Sequence, residues 1–278
     1  MRILSKITVL FLFLTSLNAC KKEEAGATTT PASTGCKISK VDYGDGTIES
    51  FTFSSVGQVS EYYMEYKDTN GKTVRSPVTV YTYDANGSVI NAKYGDGSGQ
   101  EKYTYTNGAL NTIEIFDSKN ASLYKITVTT DANKKVIGMK DSNNYSSKTT
   151  RDSQGNHLKT ETYDDKNNLF LKVEVSTYDG KKNWRNAITG WPFDLTQSYD
   201  LYTAYGALFN EPAGNALDYK YYSALDDNGK YTGKLVPTNS VTITWQYNSQ
   251  GFPSKAVVKD IVDATNNGTR TYTYSDCQ

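Results

Sequence analysis

The chain has many carboxyl groups that could catalyse a reaction, and three of those in an aromatic-rich segment are the best candidates. The chain has 30 acidic residues, and two carboxyl groups flanking a glycosidic bond are enough to hydrolyse it. Asp194, Asp200 and Glu211 are the candidates, because nearby aromatic rings could hold a sugar. Their spacing singles out no pair, and acidic residues in loops are more often simply solvated. We therefore predict no catalytic residue and a protein that is not an enzyme.

Other catalytic and cofactor sites have little support in the sequence. The chain has one histidine, His157. A multi-histidine zinc site therefore cannot form, and a Ser-His-Asp triad would have to use this residue. It stands beside a predicted turn, and we expect it on the surface. No G-x-S-x-G elbow, P-loop or G-x-G-x-x-G after a strand occurs. We predict no cofactor.

Oxygen-rich turns could hold calcium, which takes six to eight hard oxygen ligands. The candidates are Asp42–Gly46, Tyr94–Gly97 and Asp226–Gly229. None completes a twelve-residue loop with its closing glutamate. Because Asp, Asn and Gly also favour turns for conformational reasons, we predict no metal site.

Aromatic side chains between strands could stack on sugars, since a flat ring buries a large area at little conformational cost. Trp184, Trp191 and Tyr202 are the candidate ligand-binding residues. The alternative is structural, because large aromatics in β proteins with few aliphatic residues usually serve as core.

These residues must be positioned by β-strands. Turns rich in Asp, Asn and Gly recur between alternating Tyr- and Thr-rich runs, which is typical of hairpins. They stand at 54–58, 68–72, 84–88, 106–110, 131–135, 152–156, 164–168 and 248–252. The alternation is clearest at Tyr124, Ile126 and Val128. The sequence predicts an all-β antiparallel meander.

Two further features complete the predicted domain. On the last strand, Arg270, Tyr272 and Tyr274 fall on one side. The strand rhythm gives way to Gly-, Pro- and aromatic-rich sequence at 180–236, which we predict to be an insertion. One β domain is expected over 36–278.

The N-terminus predicts export and lipid anchoring. Arg2 and Lys6 precede an apolar run, and residues 17–20 read Leu-Asn-Ala-Cys, a lipobox. We predict a signal peptide at 1–19, lipid attachment at Cys20 and a flexible tether at 20–35. The alternative is an ordinary signal peptide whose cleavage site borders a cysteine.

Charge and cysteine content limit the partners and the fold. Removal of Arg2 and Lys6 from the 30 basic residues leaves 28 against 30 acidic ones, so nucleic acid is not an expected partner. The remaining cysteines, Cys36 and Cys277, stand at the two ends of the predicted domain. In an exported protein they could form one disulfide, which requires the ends of the domain to meet.

The turn motifs resemble those of YD-repeat, or Rhs-like, sequences, in which Tyr-Asp-x-x-Gly turns punctuate long antiparallel meanders. The matching segments are Tyr83–Gly87 and Tyr247–Gly251. The segment Tyr178–Asn183, the aromatic insertion and residues 239–255 are similar to a group of uncharacterised Bacteroidetes outer-membrane lipoproteins. Lys21–Glu24 resembles the short signals that send such lipoproteins to the cell surface. The resemblance implies a twisted or partly closed sheet and no known substrate.

The sequence therefore predicts a lipid-anchored outer-membrane protein, exposed at the cell surface and attached to the membrane by its N-terminal lipid. Its expected role is non-catalytic binding of a glycan or another surface partner. A structural or scaffolding role and a glycan-cleaving activity are the alternatives.

Overall fold

The computed structural model describes residues 35–188, 214–226 and 228–277, and these form an antiparallel β-sheet. The strands are β1 Lys37–Asp42, β2 Ile48–Phe53, β3 Val59–Lys67, β4 Thr73–Arg75, β5 Thr79–Tyr83, β6 Val89–Tyr94, β7 Gly99–Thr106, β8 Ala109–Asp117, β9 Ser122–Thr130, β10 Val136–Asp141, β11 Ser146–Arg151, β12 His157–Tyr163, β13 Leu169–Glu174, β14 Asp218–Leu225, β15 Tyr231–Tyr247, β16 Pro253–Asp260 and β17 Gly268–Ser275. The predicted all-β antiparallel meander is confirmed.

The sheet closes on itself. β1 pairs with β2 on one side and with β17 on the other, where Lys37 stands opposite Ser275 and Asp42 opposite Thr271. The sequence left an open twisted sheet as one outcome, and that outcome is wrong because the first and last strands pair. Closure satisfies the backbone groups that an edge strand would expose.

The barrel has sixteen strand positions although the sheet has 17 strands. Both β4 and β5 pair with β3, at Tyr66 and Tyr62 respectively, so they are two pieces of one interrupted strand. The Ser76 amide donates to the Met64 carbonyl at 2.7 Å across the interruption. An even number of positions lets every neighbour in the ring run antiparallel.

Most strands are joined by one recurring five-residue turn. In the turn at 84–88, the Asp84 amide donates to the Ser88 carbonyl, and the Asp84 carboxylate accepts from the amides of Asn86 and Ser88, each at 2.9 Å. Gly87 adopts a φ of 83°, which glycine tolerates without strain. The same backbone bonds close turns at 54–58, 68–72, 84–88, 117–121, 131–135, 141–145, 152–156, 164–168, 226–230 and 248–252.

Because strands alternate in direction, the turns fall at two ends of the barrel. The terminal end holds Cys36, Cys277 and the turns at 54–58 and 248–252. The distal end holds the β1–β2 turn, the β14–β15 turn and the β16–β17 loop at 261–267.

The inward-facing side chains are largely apolar, and the outward-facing ones are mostly polar, with single exposed apolar residues such as Val80 and Leu123. On β7, Glu101 and Tyr103 are buried while Lys102 and Thr104 point outward. Buried apolar residues from most strands form one cluster. The lumen of the described barrel is therefore packed with side chains. No helix among the described residues has the length and hydropathy to cross a membrane.

The predicted insertion at 180–236 ends too late. β14 and the first part of β15 lie inside that range and pair with each other from Asp218 onward, so strand pairing resumes well before residue 241. The inward positions of β14 include Tyr219 and Tyr221 rather than aliphatic residues, which obscured the alternation. A 3₁₀ turn, Trp184–Ala187, precedes them.

The two ends of the domain are covalently joined. Cys36 and Cys277 form a disulfide across 241 residues of sequence, next to the β1–β17 pairing. The predicted signal peptide at 1–19, the lipidated Cys20 and the tether at 20–35, apart from Gly35, lie outside the described residues.

Candidate ligand-binding site

A pocket opens at the distal end of the barrel, with a volume of about 290 Å³. It lies between the β1–β2 turn, the β16–β17 loop and the β14–β15 hairpin. The lining residues are Tyr43, Gly44, Asp45, Tyr219, Asn239, Val258, Thr265, Asn266, Asn267, Gly268 and Arg270.

Arg270 is the only cation among these lining residues. It faces inward near the start of β17, and its guanidinium lies 5.2 Å from the centre of the Tyr43 ring. The hydroxyls of Tyr219 and Tyr272 are within hydrogen-bonding reach of it. No carboxylate of the described residues forms an ion pair with Arg270. A partly buried cation without an acidic partner is unusual, because removal of a charge from water is costly unless an anion compensates it.

The β16–β17 loop is held in shape by Asp260, which is buried at the end of β16. Its carboxylate accepts from the Asn239 side chain at 2.6 Å and the Asn266 side chain at 3.0 Å, and from the backbone amides of Ser240 and Val262. Burial alone would raise the pKa of Asp260, but these hydrogen bonds lower it well below its usual range.

Asn266 and Asn267 present the remaining amide atoms of this loop. The Asn267 side-chain oxygen accepts from the Asp260 amide at 2.6 Å. Among the described residues, the Asn266 oxygen and the Asn267 Nδ2 have no hydrogen-bond partner, and both side chains line the pocket. One acceptor and two N–H donors are therefore left for a ligand.

The opposite rim of the pocket requires glycine. Gly44 has a φ of 80°, and a Cβ at that position would lie 2.3 Å from the Thr269 carbonyl oxygen. The neighbouring carboxylates are used inside the turn: Asp42 accepts from the Gly44 amide and Asp45 from the Thr47 amide.

The other two oxygen-rich turns use their acids in the same way. Asp96 accepts from the Ser98 amide, and Asp226 from the amides of Asn228 and Lys230. Among the described residues, no group of three or more His, Cys, Asp and Glu could hold a metal ion.

Trp184, predicted to contact a ligand, is instead part of the core. It is 5% exposed, and its ring centre lies 6.2 Å from that of Phe51 and 6.1 Å from that of Tyr272. Its faces are covered by other side chains, so the structural alternative describes it correctly. Trp191, Tyr202 and the candidate acids Asp194, Asp200 and Glu211 lie outside the described residues.

His157, expected on the surface, is buried. Its exposed fraction is 1%, because the first residue of β12 after the 152–156 turn faces the lumen. The carbonyl of His157 accepts from the Tyr178 hydroxyl at 2.7 Å.

The Tyr178–Asn183 motif forms a polar cluster at the terminal end. Asn215 is fully buried and donates to the Asp179 carboxylate and, at 3.0 Å, to the Lys182 carbonyl. Tyr247 donates to the same carboxylate, and Asn183 donates to the Asn215 oxygen at 3.1 Å. These bonds tie together the chain on both sides of the 189–213 segment, so the motif has a structural role.

Sequence reasoning missed the pocket residues. The sequence places Arg270 on the same strand face as Tyr272 and Tyr274, and a charged residue on an otherwise aromatic inward face is the available signal. Tyr43, Gly44 and Asp45 lie in the Asp42–Gly46 segment, which the sequence offers only as a calcium turn, and Asn266 carries no signal. A pocket built from residues so far apart in sequence requires the ring to close.

The fold resembles solved structures only distantly. A porin-like protein from Bacteroides uniformis is 14% identical, covers 86% of this chain and 96% of its own, and has a TM-score of 0.48. A porin-like protein from Bacteroides vulgatus is 12% identical, covers 86% of this chain and 98% of its own, and has a TM-score of 0.36. A Photorhabdus luminescens Tc holotoxin pore chain is 15% identical, with a TM-score of 0.26, and the match covers 8% of that chain.

No protein-family model matches the chain, and no curated protein matches it either. The resemblance to YD/Rhs-like sequences therefore rests on the turn residues alone. The distant structural likenesses assign no function to this chain.

Proposed function

We propose that this protein is a lipid-anchored, outer-membrane binding protein of the cell surface, related to the Bacteroidetes lipoproteins with YD/Rhs-like turns, that takes a glycan at the distal end of its barrel. Binding without catalysis is the proposed activity. The observation that carries the proposal is the distal pocket, where Arg270 lies without an acidic partner among the described residues.

The charge pattern of the barrel wall supports attachment through lipid at Cys20 rather than through the strands. Lys159 and Glu161 form an ion pair at 3.0 Å on the outward face of β12, and Lys172 and Glu174 do the same on β13. Barrel strands that contact lipid carry an outward apolar band, and a charge at mid-membrane costs about 2–4 kcal/mol. The packed lumen likewise favours a ligand-binding role over a channel.

The position of the pocket also supports the proposal. The tether would join the barrel at Cys36, at the terminal end, whereas the pocket lies at the distal end. A fifteen-residue extended tether could hold the domain up to about 50 Å from the membrane. Cys36 and the pocket thus lie at opposite ends of the barrel.

A glycan-array screen of the full-length protein, purified in detergent, tests this proposal. Asn267→Trp places a large ring in the pocket from an exposed loop, and Asn70→Trp makes the same change in the exposed 68–72 turn. We expect glycan binding that Asn267→Trp abolishes and Asn70→Trp leaves intact. No binding, or binding that survives Asn267→Trp, would contradict the proposal.

Lipid attachment is tested separately by growth with radiolabelled palmitate. We expect label in the wild-type chain and none in the Cys20→Ser variant. Absence of label from the wild-type chain would refute the anchor without affecting the pocket.

One observation favours the scaffolding alternative. The first part of β15, from Tyr231 to Thr238, pairs with β14, and no other strand of the described residues pairs with its opposite edge. Such an edge can bind a strand of another protein. Pro237 and Lys234 lie in this stretch and weaken it as an edge, so we rank this role second.

A further inference from the structure

We infer that the distal pocket binds a monoanionic sugar, of the uronate class, whose carboxylate contacts Arg270. The inference rests on the proposed function and specifies the ligand class of the same site.

The charge of the pocket suits one negative charge. Among the described residues that line it, Arg270 is the only cation and Asp45, on the rim, is the only acid. A guanidinium matches a carboxylate in planar geometry and can donate two parallel hydrogen bonds to it. A phosphate ester carries a charge near −2. One arginine would compensate only part of that charge, and the Asp45 carboxylate on the rim would repel the rest. The pocket therefore favours a carboxylate.

The polar groups beside Arg270 suit sugar hydroxyls. Asn266 offers an acceptor and Asn267 offers donors, and a hydroxyl both donates and accepts. Tyr43 and Tyr219 add aromatic surface beside the guanidinium, and aromatic rings pack well against the apolar face of a sugar.

The size and rigidity of the pocket fit a single ring. Its volume of about 290 Å³ lies at the lower limit of ligand pockets, which span about 300–1,000 Å³. The Asp260 hydrogen bonds fix Asn239 and Asn266 before any ligand arrives. Such pre-organisation reduces the entropy cost of binding.

Isothermal titration calorimetry on the purified full-length protein tests the inference. The probes are galacturonate, galactose, galactose 6-sulfate and inorganic phosphate, at constant pH and ionic strength. We expect galacturonate to bind at least about 10-fold more tightly than galactose, because a charge-assisted hydrogen bond contributes about 1.5–3 kcal/mol. The sulfate ester and phosphate should bind more weakly than galacturonate.

Variants assign the affinity to the pocket. Arg270→Gln should weaken galacturonate binding at least about 10-fold, whereas Arg75→Gln, which removes an arginine stacked on Tyr63 of the outer wall, should leave it unchanged. Circular dichroism checks that each variant is folded. If Arg270→Gln does not fold, Asn267→Trp serves instead and should abolish binding.

Each other outcome overturns the inference. Equal affinity for galactose and galacturonate would remove the role of the anion, while glycan binding lost in Asn267→Trp would still support the proposed function. Equal affinity for phosphate and galacturonate would indicate an adventitious anion site only. No binding of galacturonate, or binding unaffected by the pocket variants, would refute the uronate class outright.

Discussion

At the scale of single residues, the most unusual group in the barrel wall is a buried glutamate. Glu101 on β7 is 2% exposed and accepts hydrogen bonds from the hydroxyls of Tyr94 and Tyr103. Burial raises the pKa of Glu101 to about 7, while the Tyr103 hydrogen bond acts in the opposite direction. The side chain is enclosed, so we assign it no part in ligand binding.

Glu101 should make the stability of the protein depend on pH. Its folded-state pKa is higher than its unfolded value, so its charge is disfavoured by folding, and stability falls as pH rises from about 4.5 to 7. Glu101→Gln should therefore stabilise the protein at pH 8, by an amount on the order of 3 kcal/mol, and change little at pH 4. Urea denaturation at the two pH values measures the difference.

The matched control for that prediction is Glu114→Gln, which makes the same change on the adjacent strand β8, where the carboxylate accepts from the Ser122 hydroxyl on the outer wall. It should show no comparable gain at pH 8. A pH-independent effect of Glu101→Gln would contradict the argument.

Residue types alone predicted little of the candidate site. Trp184 lies in an aromatic-rich segment and His157 beside a turn, and these positions predict exposed side chains. Both side chains are buried because they face the inside of the barrel. The pocket depends on Arg270, Tyr43 and the β16–β17 loop, which closure of the ring brings together. By contrast, the Cys36–Cys277 pair was proposed from its position, and the structure joins it by a disulfide.

At the scale of elements, tyrosine and turn form one structural unit. The Tyr105 hydroxyl donates at 2.9 Å to the carbonyl of Val89, the residue that follows the 84–88 turn. Tyr83, Tyr178 and Tyr274 donate in the same way to the first residue after another turn at the terminal end. In each case a tyrosine near the terminal end of the barrel donates to the first residue after a turn on a neighbouring part of the sheet.

Removal of one such hydroxyl should cost measurable stability. Tyr105→Phe leaves the carbonyl of the buried residue Val89 without this donor, and the free energy of unfolding should fall by about 1 kcal/mol. Tyr66→Phe is the control and should be neutral, because Tyr66 on β3 is 39% exposed. Equal effects of the two substitutions, by chemical denaturation, would argue against the unit.

The turns were predictable because their chemistry is local. In eight of the ten turns in the described part of the chain an aspartate accepts two backbone amides, Asn248 does the same at 248–252, and Ser54 accepts one at 54–58. Each turn also has a residue at positive φ, so it is defined by its own residues. The end of the insertion is placed too late because β14 has tyrosine, lysine and serine on its two faces instead of alternating apolar and polar residues. The strand can be recognised only when it is known which of these residues face the inside of the barrel.

At the scale of the whole molecule, closure of the sheet defines the protein. Pairing of β1 with β17 gives every strand position two neighbours, and it also creates the distal pocket. Closure was not predictable from turns and alternation, because it depends on accumulated strand tilt and on the bulges in many pairings. Strand tilt and bulges have no recognisable pattern in a single amino-acid sequence.

The disulfide should hold this closure under stress. A cross-link between Cys36 and Cys277 restricts the unfolded chain over nearly its whole domain, and loss of a native disulfide typically costs about 2–5 kcal/mol. The double variant Cys36→Ala/Cys277→Ala should unfold at correspondingly lower denaturant. Reductant should lower the wild-type midpoint and leave that of the variant unchanged. A wild-type midpoint insensitive to reductant would contradict this.

Water accessibility of the outer wall distinguishes a barrel with a packed lumen and a solvated wall from a barrel that spans a membrane. Thr127 is exposed in the middle of β9, and a spin label at Thr127→Cys can be compared with one at Asn70→Cys in membranes from cells that make the full-length protein. We predict that a polar nickel relaxation agent reaches both labels equally. Preferential relaxation of the label at residue 127 by dissolved oxygen, as in lipid, would contradict the account.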